Sequence, residues 1–272
     1  MKSNDVKAGI AVIFGSGLSF PPGTGSLRTL ALYKDLEQLP VPSVPGHPGR
    51  IDYFRSGGGE GILLFMGRSH LYEGISEQEA GATVRTAAEM GCTRVLITNA
   101  AGCLVPGYPL GSWLAAGSVA ALPFRRRSAG GEENCRYRFG RQDIICGPFR
   151  DLVINSALKA GLRIFAGNLF WNPGPCYETP AEARACRIMG ADAVTMSVMP
   201  ELTAAGELGL KAAVLSCMTN YTPNLAGPGP SHREVVDICN EQRGGLLELL
   251  RQLSMAGSRD LLQLSQKRRK DL

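Results

Sequence analysis

A single-domain α/β fold is what the sequence predicts, and three observations carry that expectation. Short apolar, β-branched runs alternate with helical patterns along the chain, the rhythm of a sheet covered by helices. The runs are nearly continuous in apolar residues, as strands buried on both faces require. Of the 272 residues, 44% are hydrophobic and 19% charged, which supports a large core and excludes a disordered chain. No composition shift marks a linker and no repeat is present, so residues 1–272 read as one domain ending in a solvated basic tail, 267–272.

The first strand is expected at Ile10–Phe14, running into the turn Gly15-Ser16-Gly17. A second apolar run, Ile62–Met66, leads into Gly67-Arg68-Ser69-His70-Leu71-Tyr72-Glu73-Gly74. Ser76 and Glu79 then have the spacing of a capping box, in which hydroxyl and carboxylate each satisfy a backbone N–H at a helix start. That helix is expected to reach Met90 and stop at Gly91, a left-handed cap. Arg94–Thr98 is the next strand, ended by Asn99-Ala100-Ala101-Gly102. Between Val105 and Trp171 the pattern loosens around the charged, glycine-containing stretch Arg125–Asn134. Thr179 and Glu182 make a second capping box, with Pro180 in the first turn and Gly190 as the stop. Strands at Ala193–Met196 and Ala212–Cys217 follow, closed by Met196-Ser197 and Thr219-Asn220. A third box, Ser231 with Glu234, opens an amphipathic helix whose stripe is Val235, Cys239, Leu246, Leu249, Leu250 and Leu253.

The net charge of +5 invites a nucleic-acid reading until the charges are located. Lys267–Asp271 hold +3 and Arg125–Arg141 hold +4, leaving a slightly acidic body with no basic face along the fold. No nucleic-acid partner is expected. The eight cysteines form no Cys-x-x-Cys pair, so neither a zinc ribbon nor a redox pair is indicated. Ala8–Phe14 is short and runs into Gly15-Ser16-Gly17 without a cleavage pattern, and no apolar run reaches the roughly 18 residues of a membrane span. The expectation is a cytoplasmic protein with no membrane partner.

Chemistry-bearing residues cluster where strands end. A glycine-flanked turn with a hydroxyl, as at Ser16, can offer backbone N–H groups and Oγ to an oxyanion, although alone it reads equally as a tight turn. Arg68 supplies a fork of donors and His70 another, with Tyr72 as an aromatic face. Small residues around Ala100 let a ligand approach the backbone, at the usual place for ligands in open α/β sheets. Tyr177 and Glu178 stand directly before a helix, where the acid could also serve the helix dipole alone. Taken together, Ser16, Arg68, His70, Ala100 and Ser197 outline a phosphate cradle, and Tyr177, Glu178 and Asn220 a pocket for a planar, purine-like ring. A Cys–His nucleophile pair, Cys176 with His232, is a third and weaker reading, because nothing orients the histidine.

Six motifs then resemble one family: Gly15-Ser16-Gly17-Leu18, Val44-Pro45-Gly46-His47, Gly67-Arg68-x-His70-x-Tyr72-Glu73-Gly74, Thr98-Asn99-Ala100-Ala101-Gly102, Gly174-Pro175-x-Tyr177-Glu178-Thr179-Pro180-Ala181-Glu182 and Gly190-Ala191-Asp192-Ala193-Val194-x-Met196-Ser197. They are similar, in order and rough spacing, to the trimeric purine nucleoside phosphorylases. The resemblance implies a mixed, partly barrel-like sheet flanked by helices, a homotrimer, and phosphorolysis of purine (deoxy)ribonucleosides to free base and (deoxy)ribose 1-phosphate. It implies that Ser16, Arg68, His70, Ala100 (through its amide) and Ser197 bind phosphate, with His47 on a loop beside it. Tyr72, Met196 and His232 would contact the ribose, and Tyr177, Glu178 and Asn220 the base, with Glu178, Asn220 and His70 carrying the catalysis. Inorganic phosphate is the co-substrate, and no metal or organic cofactor is expected. An asparagine at 220 supplies an amide N–H to a 6-oxo group or N7, which favours hypoxanthine and guanine over adenine.

The chain departs from the family pattern between 105 and 171. Gly117–Leu122 stands where an Asp-His-Ile-Asn run is usual, and Asp143–Asp151 replaces a segment that lends an aromatic to a neighbour's ribose site. Phe139 and Phe149 are the candidates for that aromatic. The stretch after Asn220, Tyr221–Ala226, is also unusual. The alternative is therefore a nucleoside-binding or structural paralogue with lost or weak catalysis.

Overall fold

The computed structural model describes residues 6–121, 145–223, 225 and 231–270, with side chains as far as 256. The expected apolar runs form strands β1 (Ala8–Ile13), β4 (Gly61–Met66), β5 (Arg94–Cys103), β8 (Ala193–Thr195) and β9 (Lys211–Tyr221). Four further strands complete the sheet: β2 (Arg28–Leu32), β3 (Arg50–Phe54), β6 (Trp113–Ala121) and β7 (Ile164–Trp171). Among the described residues their order is β2-β3-β4-β1-β5-β8-β7-β6-β9, and β9 also pairs with β5. That last pairing closes β5-β8-β7-β6-β9 into a five-stranded barrel, while β2-β3-β4-β1 extends from it as an open sheet. Parallel pairs (β1–β4, β1–β5, β5–β9) coexist with antiparallel ones (β3–β4, β5–β8, β6–β9), so the sheet is mixed.

Two apolar layers cover the open sheet. Along β1, Ile10 and Val12 face one layer and Ala11 and Ile13 the other, the alternation a pleated strand imposes. The first layer includes Leu246, Leu249, Leu250 and Leu253 of the final helix, spaced three and four apart on one face. The second is covered by α2 (Ala82–Glu89) and α5 (Met199–Leu208).

Several elements differ from expectation for definable reasons. Asn99–Gly102 continues strand β5 instead of ending it, because β9 supplies ladder partners as far as Cys103↔Tyr221. The helix opened by Ser76 is broken at Gly81 into α1 (Glu77–Ala80) and α2; a Cβ at Gly81 would stand 3.0 Å from the Ala204 side chain, so the break lets α5 approach closely. The last amphipathic pattern divides at Gln242 into α6 (His232–Glu241) and α7 (Arg243–Lys270), so the backbone of the basic tail is helical to Lys270. The loosely patterned middle holds β6, α3 (Gly147–Lys159) and β7. The remaining helix, α4 (Pro180–Ile188), starts at its capping box as expected. No helix among the described residues is long and apolar enough to cross a membrane.

Candidate active site

A cleft with about 760 Å³ of atom-free space, open mouth included, lies where β1 ends and along β5, β8 and β9. It gathers Ser16, His70, Tyr72, Ala100, Met196 and Ser197, together with Tyr177, Glu178, Asn220 and His232. The other two residues singled out from the sequence, His47 and Arg68, are not part of that lining; His47 contacts Ser16 and His70 of its wall, and Arg68 stands behind His47.

At one end the wall is a set of hydroxyls and imidazoles held from behind. Gly15 permits it, since a Cβ there would meet the Asn99 Cα at 2.8 Å. Ser16 Oγ lies 2.9 Å from His47 Nε2. The other ring nitrogen, Nδ1, accepts the Arg68 backbone N–H at 3.1 Å. Burial, then the neighbouring His70 and Arg68, hold the His47 pKa well below its ordinary value, so the ring is neutral at pH 7. A neutral ring that accepts at Nδ1 carries its proton on Nε2 and donates it to Ser16. The Ser16 proton is thereby left to point elsewhere.

Arg68 is turned inward. Its Nη2 donates to the carbonyls of Ile13 (3.1 Å) and Thr98 (2.5 Å), and its Nε faces Glu201 Oε1 at 3.2 Å. Both side chains are at most 2% exposed, and Nη1 is buried without a hydrogen-bond partner among the described residues. The sequence reading of Arg68 as a lining donor thus differs from its place here: opposite charge at Glu201 and two carbonyls draw the guanidinium into the core.

His70 stacks on Tyr72, ring centroids 4.8 Å apart and 10° from parallel. Its Nδ1 lies 3.0 Å from Glu73 Oε1, which also accepts the His70 backbone N–H, while Ser43 donates twice to Oε2. Burial works to raise the Glu73 carboxyl, but the hydrogen bonds from His70 and Ser43 outweigh it and bring the pKa down to about 2. Against that carboxylate, Nδ1 of His70 carries a proton and Nε2 remains for a ligand. Burial, reinforced by Glu73, pushes the Tyr72 phenol up to about 12.

The opposite end is more open. Tyr177 is 43% exposed, whereas Glu178 beside it is buried and accepts the Asn172 side-chain N–H at Oε1, 2.6 Å away. Gly174, at φ +73°, brings this loop down onto Tyr72 and Met196; a Cβ there would sit 2.7 Å from the Met196 Sδ. A bulge in the β5–β9 register, where Gly102 pairs with Asn220 after Ala101 pairs with Met218, re-aims the strand at Asn220. The Asn220 Oδ1 accepts from Thr219 Oγ1 (2.9 Å) and its Nδ2 donates to the Tyr221 carbonyl (3.2 Å), leaving a second N–H. His232 Nε2 donates to the Pro45 carbonyl at 3.1 Å and ties α6 to the loop bearing His47. That engagement turns it away from the Cys–His role with Cys176.

Phe149 is fully buried in this chain's own core, which corrects the expectation that it could serve a neighbour's site. Phe139 and most of the stretch after Pro223 lie outside the described residues. Thr195 and Asn172 also belong to the site, although the sequence assigns neither a role. Thr195 was findable, since a residue two before Ser197 on a strand shares its face; Asn172 carries no local signal.

With this geometry in place, likeness to known proteins is informative. Residues 10–254 match the family described as the phosphorylase superfamily. A purine nucleoside phosphorylase of Mycobacterium tuberculosis is 32% identical over 228 residues, 84% of this chain and 81% of that protein. A Schistosoma purine nucleoside phosphorylase solved with guanosine superposes with a TM-score of 0.75 at 28% identity, covering 90% of this chain and 89% of the other. The Schistosoma mansoni enzyme solved with adenosine gives 0.73 at 26% identity, covering 91% and 90%.

Proposed function

The chain is an enzyme of the purine nucleoside phosphorylase family, within the phosphorylase superfamily, and we propose that it cleaves 6-oxopurine (deoxy)ribonucleosides of the inosine and guanosine type with inorganic phosphate. The observation that supports this most is one cleft with anion donors at one end and an acceptor–donor pair, Glu178 and Asn220, at the other. Glu178, held by Asn172, accepts the N1–H that a 6-oxopurine has and adenine lacks. Asn220 offers its remaining N–H to N7 or O6.

In the reaction a phosphate oxygen bonds to C1′ as the C1′–N9 bond breaks, and the purine leaves with the electron pair. Positive charge develops on the sugar and negative charge on the base. Phosphate held below the ring stabilises the first, and Asn220 the second, without reorganisation at the moment of reaction. Fixing phosphate beside C1′ adds the proximity contribution. Ser16, Ser197 and the Ala100 amide donate to phosphate oxygens. His70 meets phosphate with Nε2, as a donor when doubly protonated or as acceptor of a phosphate O–H. Arg68 supports this end from behind, through His47 and the strand-end carbonyls. Tyr72, Met196 and His232 hold the ribose, and Tyr177 stacks on the base. No metal or organic cofactor enters this scheme. The active form is a homotrimer, and the compartment is the cytoplasm.

Base release from inosine, guanosine and adenosine, followed chromatographically with and without millimolar phosphate, tests the reading. Phosphate-dependent release from inosine and guanosine, at least about tenfold faster than from adenosine, is expected. Nucleoside binding without release would select the paralogue reading instead.

A further inference from the structure

Three hydrogen bonds converge on the buried hydroxyl of Thr195, and their proton count has one solution. The chain starts at the Ala100 carbonyl, which can only accept. Asn99 therefore turns Nδ2 toward it, at 2.9 Å, and turns Oδ1 toward Ser216 Oγ, which donates at 2.8 Å. The second Nδ2 hydrogen goes to Thr195 Oγ1, also at 2.9 Å. The Ser197 backbone N–H donates to the same oxygen at 3.2 Å.

A hydroxyl oxygen has two lone pairs and one proton, and both lone pairs of Thr195 are now occupied. Its contact with Ser197 Oγ, at 3.3 Å, therefore runs one way: Thr195 donates and Ser197 accepts. The Ser197 proton is thereby released toward the cleft that Ser197 lines. Asn99, Thr195 and Ser216 are all at most 4% exposed, and Asn99 and Thr195 form part of the cleft wall beside Ser197. The next residue, Val198, holds φ at +76°, a strained value for a β-branched side chain, as the chain turns from β8 into α5.

We propose that Thr195 is a positioning residue that makes Ser197 an obligate donor to the bound anion, a role that rests on the phosphate reading of this cleft. His47 does the same for Ser16 from the other side. Two hydroxyls forced to donate fit a ligand end with several unprotonated oxygens, as a phosphate dianion has, better than a single sugar hydroxyl. The arrangement thus selects the co-substrate.

The test compares wild type with Thr195→Val, which removes the hydroxyl at nearly constant volume, and Thr195→Ser, which keeps it. Thr195→Ala serves as a second hydroxyl-free variant should valine not be accommodated, with thermal melting as the folding control. KM for phosphate and KM for inosine are measured separately, and inorganic phosphate is titrated calorimetrically into protein alone. Removal of the hydroxyl is expected to weaken phosphate by about tenfold in both KM and Kd, to leave KM for inosine nearly unchanged, and to be largely reversed in Thr195→Ser. Unchanged phosphate affinity in the hydroxyl-free variants overturns the proposal, as do parallel rises in both KM values, failure of serine to restore affinity, or a wild type that binds no phosphate. Wild-type turnover of inosine with indifferent Thr195 variants would remove the positioning role and keep the substrate reading. Hydroxyl-sensitive phosphate binding without inosine turnover would do the reverse.

Discussion

At the anion end of the cleft Ser16 and Ser197 are each held by a buried partner, whereas at the base end Tyr177 stands 43% exposed beside an open mouth. The difference follows from what each end would bind. Phosphate has one shape, so its donors can be locked before it arrives, and locked dipoles cost no reorganisation in the transition state. A nucleoside must enter and a free base must leave, so the base end needs an approach from solvent. The stiff end rests on a buried ion pair and the open end on one buried carboxylate, Glu178. Variants on each side should therefore separate stability from substrate choice.

The largest effect is expected from Arg68→Met, which strands Glu201 in the core without its partner. Breaking a buried pair costs about 3–5 kcal/mol, whereas replacing both members with apolar residues costs far less. Denaturant unfolding should show that loss in Arg68→Met and recovery of most of it in Arg68→Met/Glu201→Leu. No recovery in the double variant would mean that the pair is not the foundation of this end.

At the base end, Glu178→Gln keeps an acceptor for Asn172 but can turn an N–H toward the purine. We expect kcat/KM for inosine to fall by about 10²-fold, the scale of one lost transition-state contact, and adenosine to suffer less. Equal losses on both nucleosides would deny Glu178 its part in specificity. A smaller change is expected from Tyr177→Leu: KM for nucleoside should rise by about 2- to 10-fold through lost stacking, with KM for phosphate unaffected. A comparable rise in KM for phosphate would show that the two ends are coupled.

The smallest effect is a pH dependence. The Glu73 carboxyl sits at about 2 in the folded protein because the bonds from His70 and Ser43 outweigh its burial. Its unfolded value is about 4.3, so its contribution to stability is complete above that value and disappears as pH falls toward 2. The melting-temperature gap between wild type and Glu73→Gln should accordingly be widest above about pH 5 and narrow on acidification. A gap that widens with acid would contradict the sign.

Much of the frame was legible in the sequence because local rules dominate there. All three capping boxes form with both reciprocal bonds, at Ser76, Thr179 and Ser231. The five apolar runs all became strands, since burial on both faces leaves only one composition for them. Strand β3 was hidden because Arg50 and Asp52 are buried in it and neutralise each other at 2.9 Å, a pairing that breaks the apolar pattern. Strand β6 is rich in alanine, and in β7 Gly167 has no room for a Cβ beside Asp192 and Leu114, so close packing in the barrel left only one β-branched residue in each strand.

The residues of the cleft were recognisable from their motifs, but their relations were not. The inward turn of Arg68 depends on Glu201, and the donor state of Ser16 on His47, both distant in the chain. Proton direction at Ser197 is set by a carbonyl, an amide and two hydroxyls on three strands, which no spacing rule encodes.

The most direct test is a crystal structure of the protein with phosphate and hypoxanthine. Phosphate oxygens within hydrogen-bond distance of Ser16 Oγ, Ser197 Oγ and His70 Nε2, with Thr195 and His47 still behind the serines and the base on Glu178 and Asn220, is the expected result. Phosphate seated away from the two serines, or serines rotated onto other acceptors with the anion in place, would contradict a preorganised anion end.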